Sequence, residues 1–126
     1  VIYAANVICH IPDLNNLIKN VDKFLSKDGL FIFEEPYLGS MVEKVSYDQI
    51  YDEHIYIFSV SSIKKIFDEF SFELIDTIPQ TTHGGSMRYI LARKGEHDIR
   101  NSVKKIEIQK QVFVNTVFVN RILSYP

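Results

Sequence analysis

One cysteine, Cys9, is all the thiol chemistry in this chain of 126 residues. That scarcity excludes an internal disulfide and a cysteine-based zinc site within the chain, and it fits a reducing, cytoplasmic setting. An excess of charge of one sign is missing too. Lys and Arg number 14 against 16 Asp and Glu, for a formal net charge of -2, so there is no basic face of the kind nucleic acid selects. Long apolar runs are absent: the hydrophobic stretches are short and broken by charge, and none approaches the roughly 20 residues of a membrane span. There are no repeats, low-complexity tracts or flexible linkers. What is present is an ordinary globular composition, 46% hydrophobic and 24% charged, sufficient for one domain around one core. Neither nucleic acid nor a membrane is expected as a partner.

The pattern of apolar residues predicts an α/β order. Val1-Ile2-Tyr3-Ala4-Ala5 reads as a buried strand, followed by a loop with His10 and Pro12. Asp13 is placed to cap a helix whose apolar face runs through Leu14, Leu17, Ile18, Val21, Phe24 and Leu25. Lys27-Asp28-Gly29 stops that helix, and Leu30-Phe31-Ile32-Phe33 reads as a second buried strand ending at Glu34-Glu35-Pro36. Strand, helix and strand together make a βαβ unit and imply a parallel sheet. Residues 37–58 are less regular and rich in Tyr, Glu, Asp and His. Ser59 caps another helix with its stripe at Ile63, Ile66, Phe67 and Phe70. Phe72 to Ile78 alternates as a strand, and so does Ser86 to Arg93, with Met87, Tyr89 and Leu91 on one face. The two strands fit an antiparallel hairpin with a wide connection. His97 to about Ile122 reads as one long helix, although its second half is rich in β-branched residues, which disfavour helix. A boundary is expected near Gly95. The first and last residues both lie inside such patterns, so the chain reads as a piece of a larger protein.

Three motifs carry a resemblance. Ala5-Asn6-Val7-Ile8-Cys9-His10-Ile11-Pro12-Asp13-Leu14 looks like the segment after the fourth strand of a class I methyltransferase. Tyr47-Asp48-Gln49-Ile50-Tyr51-Asp52-Glu53-His54-Ile55-Tyr56-Ile57-Phe58-Ser59 is similar to the tyrosine-x-glutamate-histidine signature of the sugar C-methyltransferases, followed by an aromatic pair and a serine. His83-Gly84-Gly85-Ser86-Met87-Arg88 is similar to that family's histidine-glycine-glycine-serine strand entry. Taken in order, the three resemble the SAM-dependent C-methyltransferases of nucleotide-linked deoxysugars over nearly all of residues 1–95. Two positions depart from the pattern. Asp52 stands where another histidine is usual, and Cys9 where a small or apolar residue is usual.

The resemblance implies a partial class I, Rossmann-like methyltransferase. Residues 1–95 would be the second part of its sheet with the substrate-binding segment, and residues 96–126 a long helix opening a C-terminal domain. It implies S-adenosyl-L-methionine as cofactor. Zinc is expected only in an N-terminal cysteine-rich part that this sequence does not contain, and the chain alone is expected to be inactive. The implied chemistry is removal of a proton next to a ketone, then attack of the enolate on the methyl group. His54 is the candidate base, because imidazole titrates near neutrality. Tyr51 would donate to the ketone oxygen. Glu53 would orient His54 or hold a sugar hydroxyl, and His10 would assist the ketone or relay a proton. Ala5 and Asn6 would touch the cofactor. His83, Gly84, Gly85, Ser86 and Arg88 would hold the nucleotide diphosphate, the glycines allowing close backbone approach.

Each candidate has a plainer reading. His10 serves equally well as a loop residue bonded to backbone, Gly84-Gly85 as a tight turn, and Tyr51 and Tyr56 as core aromatics. Glu34 and Glu35, adjacent on a strand, point to opposite faces and do not make a joint acid–base pair. Two other functions stay open: a non-catalytic binding domain of the same descent, and a methyltransferase of another small molecule.

Overall fold

The structure, a computed structural model, describes residues 1–106. Its seven main elements are β1 (Ile2–Ala5), α1 (Leu14–Phe24), β2 (Phe31–Pro36), α2 (Leu38–Lys44), α3 (Val60–Asp68), β3 (Phe72–Gln80) and β4 (Ser86–Arg93). They form a mixed α/β unit around one four-stranded sheet of order β1-β2-β4-β3. β1 and β2 are parallel, as the connecting helix requires. β4 runs antiparallel to both β2 and β3.

The capping residues start the helices as their side chains dictate. The Asp13 carboxylate accepts from the Asn16 N–H at 2.9 Å. Ser59 and Ser62 form a reciprocal capping box at the start of α3. Ile18 and Val21 turn inward from α1, and Ile63 and Phe67 from α3. α1 ends earlier than the Lys27-Asp28-Gly29 stop predicts: Leu25 is extended and buried, while Phe24, expected on the apolar face, is 82% exposed.

The core face of the sheet follows from register. Phe31 sits opposite Leu91, Phe33 opposite Tyr89, and Glu35 opposite Met87, so alternation puts all six on one side. Phe67 of α3 meets both Phe31 and Phe33, with ring centroids 5.9 and 5.8 Å away. Glu34 takes the opposite face, and the two carboxylates diverge as strand geometry demands. β3 departs from simple alternation because its register shifts between Leu74 and Asp76. This bulge lets Ile75 be buried alongside Leu74.

Two segments differ from the sequence pattern. The irregular stretch after Pro36 contains α2, in which only Met41 is buried; an isolated apolar contact leaves no helical stripe to read. Helical structure after β4 starts at residue 101 rather than at His97. The preceding backbone is drawn onto β3 by the Arg100 N–H bond to the Ile75 carbonyl, 2.9 Å. The rest of the expected long helix, to Ile122, lies outside the described residues. Among the described residues, no helix is long and apolar enough to cross a membrane.

β1 and β2 end at Ala5 and Pro36, β4 begins at Ser86 opposite Pro36, and β3 ends at Gln80 opposite Ser86. The loops 6–13, 37–58 and 81–85 therefore leave the sheet at one edge, the edge at which open α/β sheets bind ligands.

Candidate active site

The site grows from a buried carboxylate. Glu35, fully buried, accepts the N–H groups of Val7 (3.0 Å) and Ile8 (2.7 Å) through Oε1. These charge-assisted bonds fix the turn Ile8–His10 above the end of the sheet. The Cys9 carbonyl in turn accepts from Ile55 (3.0 Å) and Tyr56 (3.2 Å), and the Tyr56 hydroxyl donates to the Pro12 carbonyl at 2.7 Å. The two motif segments, some 40 residues apart in sequence, are thereby stitched side by side.

That stitching brings the two histidines together. The ring centroids of His10 and His54 lie 5.1 Å apart, and those of Tyr51 and His54 4.1 Å apart. Each imidazole has its Nδ1 on a backbone carbonyl: His10 on Glu53 at 2.7 Å, His54 on Gln49 at 2.8 Å. A carbonyl only accepts, so both Nδ1 atoms carry the proton and both Nε2 atoms carry the lone pair. The Tyr51 hydroxyl donates to His54 Nε2 at 2.8 Å. The segment is a turn rather than a helix; the His54 N–H bond to the Tyr51 carbonyl, 3.0 Å, closes it and sets the two side chains on one side.

The arrangement corrects the expected role of Glu53 toward His54. The Gln49 carbonyl orients that ring, and Glu53 contributes its own carbonyl to His10 while its side chain is exposed. Cys9 lies beneath the pair, 1% exposed. Burial, and after it the hydrogen bond and charge of Glu35, push its thiol up to about 12. It is a protonated thiol at neutral pH, not a nucleophile.

The glycine turn divides. His83, Gly84 and Gly85 all have positive φ (49°, 71° and 130°), so this is a tight left-handed turn. His83 and Gly84 are exposed, and a Cβ on Gly84 would meet only Ser46 Oγ at 3.9 Å. At Gly85 the close approach is to α2: a Cβ there would stand 2.6 Å from that of Ser40. Ser86 is buried and donates to the Thr82 carbonyl at 3.2 Å. Arg88 donates through Nε to Glu34 at 2.5 Å. The same carboxylate, as a hydrogen-bond acceptor, raises the Tyr3 hydroxyl above its ordinary value. Gly85, Ser86 and Arg88 are thus committed to internal partners, contrary to their expected place against a diphosphate. Lys44 brings a cation to the turn instead, with Nζ 2.6 Å from the Gly84 carbonyl.

Ala5 and Asn6 close β1, where the Asn6 N–H bonds the Glu34 carbonyl and its φ of 52° bends the chain away. Ala5 is half-buried there and the Asn6 carboxamide, which both donates and accepts, is exposed. Sequence reasoning missed Gln49, whose contribution is a backbone atom. It also missed the role of Glu35, weighed only as half of a carboxylate pair with Glu34, and Lys44, hidden in the irregular stretch.

Residues 1–77 match the family model described as "Methyltransferase domain". The chain is 30% identical over 106 residues to the C-methyltransferase NovU of Streptomyces niveus, covering 83% of this chain and 25% of that protein. It therefore spans about a quarter of the length of this relative.

Proposed function

The chain belongs to the methyltransferase-domain family, and on that premise we propose that it carries the substrate side of an S-adenosylmethionine-dependent C-methyltransferase acting on a nucleotide-linked keto-deoxysugar. The observation that carries this reading is the hydrogen bond of the Tyr51 hydroxyl to His54 Nε2, 2.8 Å, at the carboxyl edge of the sheet. A basic nitrogen and a phenolic donor side by side are what proton removal next to a ketone requires. Similarity to a protein named as a C-methyltransferase supports carbon as the acceptor.

In this mechanism the ketone oxygen takes over the Tyr51 O–H, which frees Nε2. His54 removes the proton from the adjacent carbon, and the electron pair of the broken C–H bond passes into an enolate whose oxygen the Tyr51 hydroxyl stabilises. S-adenosylmethionine, which Ala5 and Asn6 would hold in part, would supply the electrophilic methyl to the enolate carbon, its S–CH3 bond breaking with the electron pair left on the departing sulfur. Its distance from His54 supports His10 as the relay for the abstracted proton. Glu53, with its exposed carboxylate, is assigned to a sugar hydroxyl. His83, Gly84 and Lys44 are assigned to the diphosphate.

The test is methyl transfer by the full-length protein to nucleotide-linked deoxysugars with a ketone, compared with the same sugars reduced to the alcohol. The reading predicts turnover on the ketone alone, with the methyl on carbon. Turnover on the alcohol, with the methyl on oxygen, would overturn it.

A further inference from the structure

We propose that Cys9, His10 and His54 form a binding site for a thiophilic divalent cation of the zinc class. One ligand atom from each of the three lies within 4.8 Å of the other two. Bonds of about 2.0–2.3 Å to such an ion put its ligands some 3.3–3.8 Å apart, so the three need to close by only about 1 Å. A single cysteine rules out a cysteine-built cage, but not this mixed sulfur–nitrogen set, whose third member arrives 44 positions further along the chain.

The surroundings are those of a ligand set rather than of three chance neighbours. Both imidazoles are held by Nδ1–H bonds to backbone carbonyls, 2.7 Å to Glu53 and 2.8 Å to Gln49. That is the outer support by which metal-binding histidines keep one tautomer and one orientation. Glu35 adds the second, independent observation. It is 0% exposed, and its hydrogen bond and charge act on the Cys9 thiol. A buried carboxylate makes a thiolate costly on its own, yet it favours a cation beside that thiolate. Sulfur with two imidazoles suits zinc or cobalt and not magnesium or calcium, which take oxygen ligands. His54 Nε2 already accepts the Tyr51 hydroxyl at 2.8 Å, so an ion takes up that lone pair by displacing the hydroxyl bond.

On binding, the Cys9 S–H bond breaks, a sulfur–metal bond forms and one proton leaves to solvent. An ion seated here also removes His54 from proton transfer. That consequence rests on the proposed function; the site itself does not.

Cobalt titration of the chain tests the proposal, with Co2+ as the probe. Cys9 is the only cysteine, so thiolate-to-cobalt absorption in the near ultraviolet can arise from it alone. The expected result is one equivalent bound with that band, displaced by Zn2+ and untouched by Mg2+. Cys9→Ser abolishes the band, and His10→Asn and His54→Asn each weaken binding by about tenfold or more, with circular dichroism showing all variants folded. Absence of the band in the folded wild-type chain, or an affinity unmoved by either histidine substitution, overturns it. None of these readouts involves methyl transfer, so failure here leaves the proposed function standing.

Discussion

His54 bonds the carbonyl of Gln49, five residues earlier, through Nδ1 at 2.8 Å, and that bond decides which nitrogen of the ring is basic. With Nδ1 protonated, the lone pair resides on Nε2, the atom that Tyr51 touches. A backbone acceptor cannot be deleted by substituting the Gln49 side chain. The tautomer is therefore built into the turn.

Tyr51→Phe removes the hydroxyl and keeps the ring. Loss of the donor to a developing oxyanion costs about 10²–10³ in kcat, with KM nearly unchanged. Steady-state kinetics of the full-length protein check this; a kcat within about twofold of wild type would remove Tyr51 from the reaction.

Glu35→Ala strips two charge-assisted bonds from the Val7 and Ile8 amides. The expected loss of stability is about 3 kcal/mol, measured by urea denaturation. Glu35→Gln loses less, because its amide oxygen still accepts. Equal stability of the alanine variant and wild type would contradict the role given to this carboxylate.

Cys9 makes stability depend on alkaline pH. Its thiol is pushed from an ordinary 9.0 up to about 12, first by burial and then by Glu35. A raised pKa means that the folded state holds its proton where the unfolded chain has released it. The contribution is fully present below pH 9 and is lost between pH 9 and about 12. Denaturation across that window should show a steeper fall in wild type than in Cys9→Ala, and parallel curves would contradict it. Native Cys9 should also alkylate far more slowly at neutral pH than it does in urea.

Lys44→Ala should raise KM for a nucleotide-linked substrate several-fold and leave kcat in place, since its ammonium reaches the exposed turn at Gly84. Arg88→Ala should lower stability, because its charge is spent on Glu34. The reverse assignment, with KM moving for Arg88 and not for Lys44, would restore the arginine as the diphosphate contact.

The regular elements were legible because their signals are local. Asp13 and Ser59 mark helix starts by what their side chains accept, and Met87, Tyr89 and Leu91 mark a strand face by alternation. α2 was not legible, having one buried residue. Nor was the buried position of Ile75, because a bulge breaks the period that reading depends on. In the site, His10, Tyr51 and His54 stood out as motif residues and do converge. Their supports did not stand out: Gln49 and the carbonyl of Glu53 act through backbone, and Glu35 acts only once β2 lies under the loop after β1. The same long-range contacts explain Ser86 and Arg88, polar residues beside a glycine turn that turn out to be bonded to Thr82 and Glu34.

Exchange of the substrate proton next to the ketone tests the central claim most directly. In deuterated water, with a nucleotide-linked keto-deoxysugar and the full-length protein, NMR should show deuterium entering at the carbon beside the ketone with the wild type. With His54→Gln it should show none. Undiminished exchange in the His54→Gln protein would mean that another group removes the proton.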